Sequence, residues 1–205
     1  MCGIIGYTGS EDVREVLLDA LELLEYRGYD SAGIALRDEE SGKTEVRKCA
    51  GRVSDLRAIC ASEKVVSQCG IGHTRWATHG GVNDCNAHPH QVGKVTLVHN
   101  GIIENYRELI ADYDLADTLK SETDSEVVAA LLNRFYEGNP EEAIKKTVSK
   151  LKGTFALVIL FEDQKDVIYS TRNVSPIVAT ICKEGAMLAS DPVSYTHLRA
   201  HETDS

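Results

Sequence analysis

Apolar and polar positions along this chain repeat with two periods, one belonging to strands and one to helices. Residues 2–7 (CGIIGY) are a short apolar run closed by Thr8-Gly9-Ser10, which predicts a buried strand. Val13, Val16, Leu17, Ala20, Leu21 and Leu24 then recur at helical spacing, so 13–26 is an expected amphipathic helix, capped by Asp12 and stopped by Gly28. Residues 31–38 and 43–51 read as a hairpin around the turn at 40–43, followed by a short helix over 53–61. The stretch 66–81 starts as a strand and ends in a glycine-rich loop, and 83–91 is polar and is expected to be loop. Residues 94–101 alternate and then turn at Asn100-Gly101.

Helical spacing returns at 104–111, 125–137 and 141–152. Thr123 and Glu126 have the spacing of a capping box, and Pro140 is well placed for a first helical turn. Four further strands are predicted at 154–162, 165–173, 176–183 and 186–190. Antiparallel strand runs mixed with paired helices define an α+β layered domain with helices covering sheet faces. The stretch 193–205 is polar and aperiodic, and is expected to be a tail outside the fold, a cloning or assembly scar.

Composition narrows the partners. The 205 residues carry 32 acidic and 22 basic side chains, a net charge of −10, which argues against a nucleic-acid or anionic-membrane partner. No apolar run reaches the length of a membrane helix, and the N-terminus lacks the features of a secretory signal. The six cysteines are irregularly spaced, so they are read as mostly free thiols of a cytoplasmic protein.

Five constellations carry candidate chemistry. Removal of Met1 would leave Cys2 with a thiol and a free α-amine, whose ordinary pKa of about 7.7–8.0 makes it a base beside its own nucleophile. The string EYRGYDSAG (25–33) joins a helix end to a strand through a polar loop. In HTRWATHG (73–80), Arg75 can grip a carboxylate with paired hydrogen bonds, Thr78 and His79 add neutral donors, and Trp76 can wall a pocket. In HNGIIEN (99–105), the Asn100 amide and the Gly101 N–H are adjacent donors suited to a tetrahedral oxyanion, although Asn-Gly is also the commonest hairpin turn. In SETDSE (121–126), Asp124 near a helix start can cap the helix and can accept from a ligand ammonium. Cys69, His73, Cys85, His88 and His90 lie close in sequence but lack the regular ligand pairs of a zinc site, so no metal is expected.

Taken in order, CGIIG, EYRGYDSAG, HTRWATHG, NAHPH, HNGIIEN and SETDSE resemble the glutaminase domain of the glutamine–fructose-6-phosphate aminotransferase (isomerizing) family, within the N-terminal-nucleophile class of amidotransferases. The resemblance spans residues 2–192 and implies a four-layer α/β/β/α sandwich. It implies that Cys2 attacks the carboxamide of L-glutamine with its own α-amine as base. It further implies that Asn100 and the Gly101 N–H form the oxyanion hole, and that Arg75 pairs with the substrate α-carboxylate. Asp124 would accept its α-ammonium, with Trp76, Thr78 and His79 as pocket residues and Arg27 supporting the nucleophile. His88 and His99 are expected to be structural. No cofactor is implied. The domain looks clipped at its C-terminal end, and fructose 6-phosphate would engage only a second, isomerase region that this chain lacks. The full-length family members would be homo-oligomers. The glutaminase half of another such amidotransferase, as in amidophosphoribosyltransferase, and a catalytically silent domain on the same scaffold are the alternatives.

Overall fold

The computed structural model describes residues 2–61, 65–76 and 81–195. Among the described residues, ten strands form two antiparallel sheets. They are β1 (Gly3–Gly9), β2 (Ser31–Arg37), β3 (Thr44–Ala50), β4 (Cys69–Arg75), β5 (His90–Val92), β6 (Val95–Ile103), β7 (Gly153–Phe161), β8 (Tyr169–Asn173), β9 (Val178–Cys182) and β10 (Gly185–Ala189). The first sheet has the order β3-β2-β4-β1-β10-β9 and the second β5-β6-β7-β8. Helices α1 (Val13–Leu24) and α2 (Val53–Cys60) pack on the first sheet. Helices α3 (Tyr106–Asp112), α4 (Asp124–Phe135) and α5 (Pro140–Val148) pack on the second.

Side-chain alternation sorts the apolar residues into the three interfaces that a four-layer sandwich needs. Ile5 and Tyr7 of β1 and Ile34 and Leu36 of β2 meet Leu17, Leu21 and Leu24 of α1. Leu97 of β6 and Phe155, Leu157 and Ile159 of β7 meet Val128, Leu131 and Leu132 of α4. The opposite faces of the same strands, with Ile4, Ala35, Ile71, Val98, Ala156 and Val158, close on one another between the sheets. The central strand β7 therefore buries both faces, which is why 154–162 reads as a continuous apolar run and not as an alternation. The α/β/β/α architecture is the one the sequence resemblance implies.

Local signals hold at the helix starts. Asp12 accepts from the Arg14 and Glu15 amides, and Asn139 from that of Glu142, with Pro140 in the first turn. Thr123 accepts from the Glu126 amide, but the Glu126 carboxylate turns instead to the amides of Lys120 and Ser121, so only half of the expected capping box forms.

Two expectations are corrected. Residues 83–91 are not all loop: His90–Val92 pair with Val95–Leu97 through the tight turn at Gly93. Asn100-Gly101 is not a hairpin turn. β6 runs through it to Ile103, with Asn100 opposite Ala156 and Gly101 opposite Phe155, because pairing along the whole of β7 outweighs the local turn preference. At the other end, Pro192–Tyr195 form a short 3-10 turn, with Val193 packed against the α1 layer, so the fold takes in the first three residues of the expected tail. Residues 196–205 lie outside the described residues.

Among the described residues no helix is long and apolar enough to cross a membrane. Cys2, Cys49, Cys69 and Cys85 are free thiols.

Candidate active site

Strand register brings the candidate residues together. Gly3 of β1 lies opposite Thr74 of β4, so Cys2, just before β1, falls beside Arg75 and Trp76. The Cys2 Sγ accepts from the Trp76 amide at 3.2 Å and lies 3.6 Å from the Trp76 carbonyl oxygen. The start of β1 is pinned from its other side: the Ile4 amide donates to the Ser190 Oγ at 2.9 Å, and the Ser190 amide to the Ile4 carbonyl. From the second sheet, Asn100 shares the inward face of β6 with Val98, and its Nδ2 donates to the Cys2 carbonyl oxygen at 3.2 Å. Cys2 and the Asn100 amide thus come from different sheets. Burial pushes the Cys2 thiol above its ordinary pKa, against a smaller opposing effect of the Trp76 amide, so the sulfur needs a base to ionise it near neutral pH.

A small pocket of about 50 Å³ opens at this junction, lined by Cys2, Arg75, Trp76, Gly101, Asp124 and Ser125 among others. A wider cavity of about 540 Å³, also lined by Cys2, lies toward Arg27, Ile102 and Ser175.

Arg75 is buried and its Nη1 lies 3.7 Å from Asp30 Oδ1 while also donating to the Gly81 carbonyl at 3.3 Å. The Asp30 amide donates to the Arg75 carbonyl at 2.7 Å, so backbone and side chain both hold the pair. The Asp124 Oδ2 accepts from the Ile103 amide at 2.8 Å, which fixes the carboxylate across the pocket from Arg75. One cation and one anion facing a shared cavity match the two charges of an amino-acid zwitterion. Replacing Arg75 by lysine keeps the charge but loses the planar fork. It is expected to raise the KM for glutamine about 10- to 100-fold, one to two charged hydrogen bonds, with a smaller change in kcat. Steady-state kinetics check this, and an unchanged KM would remove Arg75 from the carboxylate site.

Trp76 is half-exposed, with its ring laid on Gly28, where a Cβ would sit 2.4 Å from the indole and where φ is +99°. The glycine at the end of the α1 segment is thus also the floor for the tryptophan. Arg27 reaches Asp191 with Nη1–Oδ2 of 3.4 Å, and the Tyr26 hydroxyl donates to the same oxygen at 2.8 Å. Those bonds tie the 25–33 loop to the end of β10. Thr78 and His79 lie outside the described residues.

The sequence reading passed over Asp30 and Ser190, and weighed the buried histidines only as metal ligands or as structural residues. His73 stacks on His88 at 4.2 Å between ring centroids, and His88 meets His90 edge-on at 4.6 Å. The His90 Nε2 and Thr123 Oγ1 are 3.0 Å apart, and His99 Nδ1 lies 2.9 Å from Ser125 Oγ on the helix side of β6. Burial keeps all four rings neutral, His73 pushed down to about 3. Rings stacked in this way do not converge on a cation, and among the described residues no group of three or more potential ligands is placed to hold a metal.

A cysteine at position 2 beside one sheet, an asparagine amide on the other and opposite charges lining one pocket sit on an α/β/β/α sandwich of the N-terminal-nucleophile amidotransferase class. The glutamine amidotransferase domain model matches residues 77–194, more than half of the chain, and the chain belongs to that family.

Curated relatives include glutamine–fructose-6-phosphate aminotransferases (isomerizing). That of Shouchella clausii is 49% identical over 95% of this chain and 32% of its own length, and that of Bacillus subtilis 46% over the same shares. The chain thus spans about a third of the length of these relatives. Among solved structures, the glutamine phosphoribosylpyrophosphate amidotransferase of B. subtilis, complexed with ADP and GMP, superposes with a TM-score of 0.79 at 25% identity, over 95% of this chain and 43% of that one. A structure described as the allosteric regulatory enzyme of purine biosynthesis gives 0.82 at 26% identity over the same shares.

Proposed function

We propose that this domain hydrolyses L-glutamine to glutamate through a thioester on Cys2, and that the ammonia released serves the amination of fructose 6-phosphate. The observation that carries the reading is the Asn100 amide bonded to the Cys2 carbonyl oxygen, with Cys2, Arg75 and Asp124 lining one pocket.

In this reading Met1 is removed and the Cys2 α-amine takes the thiol proton. The thiolate attacks the side-chain carbonyl carbon of glutamine, and the developing oxyanion is held by Asn100 Nδ2 and the Gly101 N–H. The amine returns its proton to the leaving nitrogen, and ammonia departs as the C–N bond breaks. Water, deprotonated by the same amine, then attacks the thioester and frees glutamate and the thiol. Arg75 holds the α-carboxylate and Asp124 the α-ammonium, Trp76 walls the pocket, and Arg27 braces the 25–33 loop. No residue here calls for a cofactor.

Amination of fructose 6-phosphate is assigned to residues beyond the matched third, by analogy with the curated relatives. Their identity of 45–49% favours this acceptor over phosphoribosylpyrophosphate, whose amidotransferase is 25% identical. The free thiols are in keeping with a reducing, cytoplasmic setting. The reading assigns no nucleic-acid or membrane partner, and homo-oligomers of the full-length protein. The test is glutamate release from L-glutamine by purified protein whose mass shows Met1 absent. Release supports the reading; none from folded, processed protein overturns it.

A further inference from the structure

We propose that His73 is a positioning residue for glutamine hydrolysis, its Nε2–H holding the Asn100 amide in the one orientation that turns its NH2 toward the nucleophile; this rests on the glutaminase reading above. The His73 Nε2 lies 3.0 Å from Asn100 Oδ1 and 3.1 Å from the His99 carbonyl oxygen. Both are acceptors, so Nε2 carries the ring proton and donates to each. On its other edge the Asn100 amide donates Nδ2–H to the Cys2 carbonyl oxygen at 3.2 Å.

Turning the amide over would set Oδ1 against that carbonyl oxygen and Nδ2–H against Nε2–H, so two attractions would become two repulsions. The terminal torsion of asparagine is otherwise broad and nearly two-fold. With His73 gone, one contact alone would choose between donor-forward and acceptor-forward amides, and the second presents an oxygen to the oxyanion. Donors fixed before the charge develops are what make such a hole effective.

The surroundings keep His73 in this role. The ring is buried between the sheets, stacked on His88, and its Nδ1 is buried without a hydrogen-bond partner, an arrangement that leaves no place for a second proton. His73 shares the inward face of β4 with Ile71 and Arg75, so one strand carries both the lock on the oxyanion donor and the grip on the carboxylate.

The experiment compares His73→Phe and His73→Met, which remove the donor, with His73→Gln, which can offer an N–H at the ε position. Folding is followed by circular dichroism and glutaminase activity by kcat and KM. The donor-less variants are expected to lose about 10²-fold in kcat, the scale of one oxyanion donor, with KM within about threefold because Arg75 and Asp124 are untouched. His73→Gln is expected to recover at least tenfold of that loss. The double variant His73→Phe/Asn100→Ala is expected to be no slower than Asn100→Ala alone, since the two act as one unit.

A rise in KM at unchanged kcat, fully multiplicative effects in the double variant, or a folded His73→Gln as slow as His73→Phe would each overturn the role. If neither donor-less variant folds, His73→Gln decides: a folded protein more than tenfold below wild type overturns the proposal. Wild-type release that is absent, or that survives Cys2→Ala, overturns the glutaminase reading and this role together. Release that Cys2→Ala abolishes and His73→Phe leaves intact overturns the role of His73 alone.

Discussion

Cys2→Ala is expected to leave glutamate release about 10⁴-fold or more below wild type, because no other group in the pocket can form the thioester. Stability is expected to change little. The side chain sits before β1, partly exposed, and its sulfur hydrogen-bonds to the backbone of Trp76. Loss of a single sulfur there should move Tm by no more than about 2 °C. Cys2→Ser is expected to be nearly as inactive, since a hydroxyl is a far weaker nucleophile in the same position. Protein that retains Met1 should join them despite its intact thiol: its Cys2 nitrogen is an amide and can take no proton, while burial holds the thiol protonated. Mass spectrometry of each preparation beside its turnover separates these cases. Wild-type rates from Cys2→Ala would end the nucleophile assignment.

Gly101→Ala is expected to be the most damaging change outside the nucleophile. Gly101 holds φ of +130°, and a Cβ there would lie 2.0 Å from the Thr154 carbonyl oxygen of the paired strand. That oxygen is backbone and cannot step aside without parting β6 from β7. Backbone strain and overpacking together are expected to cost about 2–5 kcal/mol. The same shift would move the Gly101 N–H off the oxyanion, so activity should fall even in the fraction that stays folded. Urea unfolding with a glutaminase assay checks both, and an alanine variant with the wild-type midpoint and kcat would refute the argument.

Much of this fold is legible in the chain. Val13 to Leu24 announce α1 by spacing, Asp12 and Asn139 announce helix starts, and 31–51 announces its hairpin. These signals are local, carried by neighbours within a few residues. The places where the reading fails are those where distant pairing decides. His90–Val92 is too short and too polar to read as strand and becomes one because β6 lies beside it. Asn100-Gly101 carries a strong turn signal, yet nine paired positions along β7 hold it extended. The site follows the same division. Cys2, Arg75, Asn100 and Asp124 are found from chemistry in motifs. Asp30, His73 and Ser190 act through partners 45, 27 and 186 positions away, and no spacing rule reaches that far.

Cys2 leads into one sheet and Asn100 belongs to the other, so the spacing between the two residues is a gauge of the gap between the sheets. That gap is filled in part by small side chains, Ala35 and Ala156 among them. A methyl group too many in this layer would therefore be read out as chemistry before it is read out as unfolding. In a library scored for both, the inter-sheet positions should stand apart as sites where turnover declines while the protein remains intact, and second-site changes that restore turnover should be found across the gap, on the facing sheet.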